Sequence, residues 1–105
     1  MCILPLIGTV DKIRMATIED KVISHVSLFN IETLIIDFSG VAGMESAVLQ
    51  RVMSVLNGIS MMGCETVITG LRAEIVKMMI SNGLTFENKA ITKGTLQQAL
   101  DKYLA

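Results

Sequence analysis

Tryptophan is absent from this chain, and Phe29, Phe38, Phe86 and Tyr103 are its only aromatic residues. Platforms for stacking nucleic-acid bases are therefore poorly supplied. Neither charge dominates, because nine Lys and Arg face ten Asp and Glu for a net charge of −1. Holding a phosphate backbone draws on clustered cations that displace counterions. Here the basic residues are scattered, so nucleic acid is not an expected partner. Cys2 and Cys64 stand far apart, with no CxxC and no histidine at ligand spacing. Two thiols are too few for a four-ligand zinc site or a disulfide framework. Both read as reduced thiols of a cytoplasmic protein, with Cys64 a small buried apolar residue. No apolar run approaches the roughly 20 residues that span a bilayer. The first fifteen residues hold Pro5, Gly8 and Asp11 and lack a basic start, so a secretory signal is not expected either.

What the chain does have is apolar side chains. They make up 51% of its residues against 18% charged, the reverse of a disordered segment. One hundred and five residues are enough for one core and too few for two, so 1–105 reads as a single domain. Short apolar runs alternate with helical periodicity, the pattern of βα units around a mostly parallel sheet. Ile3 to Ile7 reads as a strand ending at Gly8, with Pro5 favouring an edge. Met15, Ile18, Val22, Val26 and Phe29 place an amphipathic helix over Asp11 to about Phe29. Thr33 to Phe38 is a buried strand closed by Ser39-Gly40. Ser46 to Met62 is a long helix with two apolar stripes, one of Val48, Val52, Val55, Ile59 and Met62, the other of Leu49, Met53 and Leu56. Together they are wider than one sheet-facing side requires. Gly63 closes that helix, and Thr66 to Thr69 is the next strand. Ala73 to Ser81 is helical and ends in Asn82-Gly83-Leu84, a Schellman pattern. A short strand is expected near Phe86 to Ile91. Thr95 to Gln98 has the spacing of a capping box, opening a last helix with Leu96, Ala99, Leu100 and Tyr103 on one face. The expected architecture is α/β, in the order β-α-β-α-β-α-β-α, with four or five strands and about four helices.

In such sheets function gathers at the carboxyl ends of the strands. That points to Gly8 to Asp11, Asp37 to Ser46 and Thr69 to Arg72. Catalytic patterns are missing there. No GxGxxG or GxxxxGK[ST] loop is present, no HExxH or Cys/His cluster, and His25 has no nucleophile to serve. No metal or cofactor is expected. Hydroxyls remain: Ser46, where the chain enters the long helix, and Thr69, at a strand end. Ser46 reads either as an N-cap contributing about 1 kcal/mol, or as a phosphate acceptor whose charge would alter an exposed contact. Thr69 alone reads as an ordinary strand residue. If the stripe of Leu49, Met53 and Leu56 is exposed, it lies beside Ser46 as a switchable contact. A receiver-like phosphoacceptor, with Asp37 taking the phosphate and Thr69 sensing it, is the rival reading. It lacks an acidic pair after the first strand, and Lys93 is a poor substitute for its lysine.

Three segments resemble the STAS family, the domain of sulfate transporters and anti-sigma-factor antagonists. Leu4-Pro5-Leu6-Ile7-Gly8-Thr9-Val10-Asp11 is similar to its opening strand. Leu34-Ile35-Ile36-Asp37-Phe38-Ser39-Gly40-Val41 is similar to its next strand and turn. Val67-Ile68-Thr69-Gly70-Leu71-Arg72-Ala73-Glu74 is similar to the TGIRPE segment of the stress-response subgroup, the stressosome scaffolds and co-antagonists. The resemblance implies a STAS fold whose usual first strand precedes this chain's start. It also implies a non-enzymatic, cytoplasmic, oligomeric scaffold or antagonist that holds a serine/threonine kinase and releases it on phosphorylation. The implied acceptors are Ser46, where Glu45 stands for the family's Asp, and Thr69. The implied contact surface is Gly43, Met44, Glu45, Ala47, Val48, Leu49, Met53 and Arg72. Other STAS subunits would be partners; a membrane would not. The STAS domain of an anion transporter's tail is the alternative within the family.

Overall fold

The structure, a computed structural model, describes residues 1–84 and 91–104, the side chains of 91, 103 and 104 excepted. Its elements are β1 (Cys2–Val10), α1 (Lys12–Phe29), β2 (Thr33–Met44), α2 (Ser46–Met61), β3 (Glu65–Thr69), α3 (Ala73–Ser81), β4 (Ile91–Lys93) and α4 (Leu96–Leu104). Of the strand expected near Phe86 to Ile91, residues 86–90 lie outside the described residues and β4 is described from Ile91; the Tyr103 side chain also lies outside them. All strand pairs are parallel, and the order across the sheet is β1-β2-β3-β4. Each strand therefore neighbours the next one in the chain. Right-handed crossovers that step steadily in one direction put their helices on one face of the sheet. That face holds the main core: Leu34, Ile36 and Phe38 of β2 and Ile68 of β3 pack with Val22 and Val26 of α1, Leu49 and Leu56 of α2, and Ile75 and Met79 of α3. The last helix follows the last strand and is no crossover, which leaves it free to take the other face. There Ala99, Leu96 and Leu100 of α4 cover Ile35 and Val67.

Local chemistry explains most element ends. Asp11 is the N-cap of α1, its carboxylate accepting the Arg14 N–H at 2.8 Å. α2 and α3 both close with Schellman pairs: the Cys64 N–H donates to the Ile59 carbonyl at 3.2 Å, and the Leu84 N–H to the Met79 carbonyl at 2.8 Å. The capping box forms reciprocally, with Thr95 Oγ1 accepting from Gln98 N and Gln98 Oε1 accepting from Thr95 N, both at 3.2 Å. Phe29 departs from expectation. Asn30 turns left-handed at φ 48° and ends the helix, so Phe29 sits at the helix end, 67% exposed, with its ring beside His25.

The larger corrections concern β1 and β2, which run past Gly8 and Ser39-Gly40 to Val10 and Met44. Register shifts between Pro5 and Ile7 and between Gly8 and Thr9 each place one extra residue on β2, and both strands continue past their turn-like residues. Beyond the end of β3 these two strands continue together, Gly8 pairing with Val41, Thr9 with Gly43 and Val10 with Met44. Val10, Val41 and Met44 are buried, and their burial favours the extension. Its consequence is that β2 enters α2 through a single residue, Glu45.

Candidate functional site

The carboxyl ends of the strands carry two clusters. In the first, Asp37 of β2 lies opposite Thr69 of β3 in register. Thr69 Oγ1 donates to Asp37 Oδ1 at 2.8 Å, and Ser39 Oγ donates to Asp37 Oδ2 at 2.7 Å. Gly70 then turns at φ +68° directly against Ser39. Two residues on, the Arg72 guanidinium donates to the Val41 carbonyl at 3.2 Å. The segment Thr69 to Arg72 is thereby tied at three points to the β2 extension that leads into α2.

This clamp holds Thr69, one of the two expected acceptors. The residue is fully buried and its hydroxyl is committed to Asp37, so it offers no free acceptor oxygen at the surface. Both Asp37 oxygens are likewise engaged, which speaks against the receiver-like rival. Among the described residues no three His, Cys, Asp or Glu side chains gather as a metal site. Thr69→Val should remove one hydrogen bond to a buried-side carboxylate, a loss of about 1–3 kcal/mol. Urea unfolding is expected to show that loss for Thr69→Val and most of the stability restored in Thr69→Ser.

The second cluster surrounds the start of α2. Here the N-cap is Glu45, whose side chain makes no capping bond, and Ser46 is the first helical residue. Ser46 therefore does not serve as the cap. It is half-buried, and among the described residues its hydroxyl has no hydrogen-bond partner. Gly43, Met44 and Glu45 line a groove of about 670 Å³ together with Thr9, Val10, Asp11, Lys12 and Ile13. Ala47 and Val48 line a smaller one, about 350 Å³, against Lys12, Met15 and Arg51. Arg51 crosses to Glu19 of α1 at 2.7 Å, an exposed pair worth at most about 1 kcal/mol.

Four residues expected at a contact surface are interior. Leu49 is fully buried, and Met44, Val48 and Met53 are 6%, 2% and 6% exposed. The reason is that α2 packs on the sheet between α1 and α3, so both of its stripes are covered from Val48 to Ile59, while Met62 at the helix end is exposed. Gly43 is half-buried in β2, while Glu45, Ala47 and Arg72 are at the surface. Sequence reasoning passed over Ser39 and Gly70 in the clamp and Ile13 on the groove. The only available signal for them was proximity to strand ends. Cys64 is buried as expected; burial pushes its thiol up from the ordinary range, and both cysteines are free.

Residues 1–99 match the STAS domain family. The chain belongs to the STAS family. Among its relatives, the RsbT co-antagonist protein RsbRD of Bacillus subtilis is 35% identical over 98 residues, covering 93% of this chain and 35% of that protein. The chain spans about a third of the length of the RsbT co-antagonist relatives it matches. Among solved structures, a variant of RsbS from Moorella thermoacetica aligns with TM-score 0.80 at 19% identity, covering 95% of this chain and 84% of that one. A chain of the stressosome, a signal integration and transduction hub, aligns with TM-score 0.71 at 18% identity, covering 93% and 88%. These two likenesses establish the STAS fold.

Proposed function

We propose that this STAS domain is a phosphorylation-controlled docking module that holds a serine/threonine kinase of the RsbT type within an oligomeric, stressosome-like assembly. It acts in the cytoplasm, without a cofactor or catalysis of its own. One observation carries the reading: an unpartnered, half-exposed hydroxyl at the first turn of α2, adjoining the uncapped carboxylate of Glu45. The kinase would transfer the γ-phosphoryl group of ATP to Ser46 Oγ, with ADP leaving and the hydroxyl proton lost to solvent.

The phosphate adds nearly two negative charges beside Glu45, and in a contact surface it disrupts by like-charge repulsion and desolvation. The same phosphate gains about 0.3–1 kcal/mol from the N-terminus of α2, so the domain stays folded while the contact is lost. In this reading Thr69 is a positioning residue. Through Asp37, and beside Arg72 on Val41, it fixes the strand that delivers Ser46. The relatives named as RsbT co-antagonists support the choice of partner. The curated matches favour this class over the tail of an anion transporter.

The test is to incubate the 105-residue chain with RsbT and ATP, then map phosphate by mass spectrometry. One acid-stable phosphate on Ser46 is expected, with none on Ser46→Ala. Ser46→Asp should bind RsbT about tenfold more weakly or worse. Equal binding by Ser46→Asp, or phosphate found on Asp37 or Thr69 instead, would refute the switch.

A further inference from the structure

We infer that the first turn of α1, through Ile13, supplies the apolar half of the docking surface whose other half is Glu45 and Ser46; this rests on the kinase-holding reading above. Ile13 is 82% exposed, a large aliphatic side chain off the stripe of Met15, Val22 and Val26 that α1 buries. A single exposed apolar residue needs no explanation. Its position distinguishes this one, because Ile13 and Glu45 line the same groove at the ends of β1 and β2.

The charges on that rim define the occupant. Asp11 is engaged in capping α1. The Glu45 side chain makes no capping bond, and among the described residues its carboxylate has no ion-pair partner. The groove thus presents the solvated Glu45 carboxylate beside the exposed aliphatic group of Ile13, and with the exposed Lys12 and Asp11 on the same rim its net charge is −1. The matching partner is a folded protein surface with a cationic side chain next to an apolar socket. Ser46 directly follows Glu45, so a contact covering Ile13 and Glu45 also covers the hydroxyl. A phosphate there would compete with Glu45 for the partner's cation and force a dianion into the contact. Of the other strongly exposed apolar residues, Leu28, Phe29, Met61 and Ile80 lie at the C-terminal ends of α1, α2 and α3, and Ile7 of β1 does not line this groove.

The experiment titrates purified Bacillus subtilis RsbT into the full chain and into its Ile13→Asp, Glu45→Gln, Leu28→Asp and Ser46→Asp variants. Matched thermal midpoints first establish that Ile13→Asp is folded, as its exposure predicts. Ile13→Asp should raise Kd about tenfold or more, in the manner of an interface anchor. Glu45→Gln should weaken binding at low salt and flatten its salt dependence, because its contribution is electrostatic. Leu28→Asp should leave Kd within about twofold of the wild type. If Ser46→Asp loses binding while Ile13→Asp stays near the wild-type Kd, or if Leu28→Asp is as damaging as Ile13→Asp, the inference falls and the kinase reading stands. A wild-type chain that does not bind RsbT brings down both.

Discussion

Gly70→Ala is expected to cost more stability than any other addition of one methyl group at a glycine of this domain. The residue sits at φ +68°, where an L side chain costs about 1–2 kcal/mol. A Cβ there would also lie 2.7 Å from the Ser39 backbone nitrogen and 2.8 Å from Asp37 Oδ1 and Ser39 Cβ. These are strand atoms and a carboxylate already held by two hydroxyls, so relief requires the β3–α3 turn or β2 itself to move. Crowding of this kind adds about 1–3 kcal/mol, for a total of about 2–5 kcal/mol. A domain of this size has about 5–15 kcal/mol in all, so the loss would show plainly in a urea midpoint. Gly63→Ala is the control, since Gly63 has a similar φ of +83° and nothing within 4 Å of an added Cβ. The difference between the two variants isolates the close approach. Equal losses would mean that the clamp is looser than its distances imply.

The second large effect concerns α2. Leu49→Ala should cost about 2–5 kcal/mol, because Leu49 is fully buried and its removal leaves a cavity. For a domain of about 100 residues each kcal/mol lowers Tm by about 4–8 °C, so a drop of roughly 10 °C or more is expected in a thermal melt. RsbT binding measured well below that midpoint should be unchanged. A contact-surface role for the stripe predicts the opposite pair of results, with Tm preserved and binding lost. Observing that pair would show that α2 is exposed in solution.

Much of the architecture was legible from the chain because its signals are local. The end of α3 follows from Asn82-Gly83-Leu84, and the start of α4 from the Thr95 to Gln98 spacing. Both are satisfied by atoms within a few residues of one another. What escaped depends on distant pairing. Ser39-Gly40 looks like the end of a strand until β1 is seen to run beside it, and Gly8 looks like a stop until it is seen paired with Val41. Thr69 carries the same limitation. Its place at a strand end could be read, but its hydroxyl's commitment to Asp37, 32 residues earlier, is fixed by strand register alone. The breadth of the apolar arc on α2 was likewise visible, whereas which neighbours cover it is decided by the packing of α1 and α3 over the sheet.

The direct passage of β2 into α2 through Glu45 bears on how an enzyme would recognise Ser46 as a substrate. Many modification sites lie on slack tethers that an enzyme can draw into an extended cleft and read as a short linear motif. Here the segment before Ser46 is hydrogen-bonded strand and the segment after it is helix, so no slack exists to be drawn out. On the proposed reading the kinase must approach an intact, rigid surface and recognise shape. A short synthetic peptide copied from residues 40–52 would retain the letters and lose the substrate.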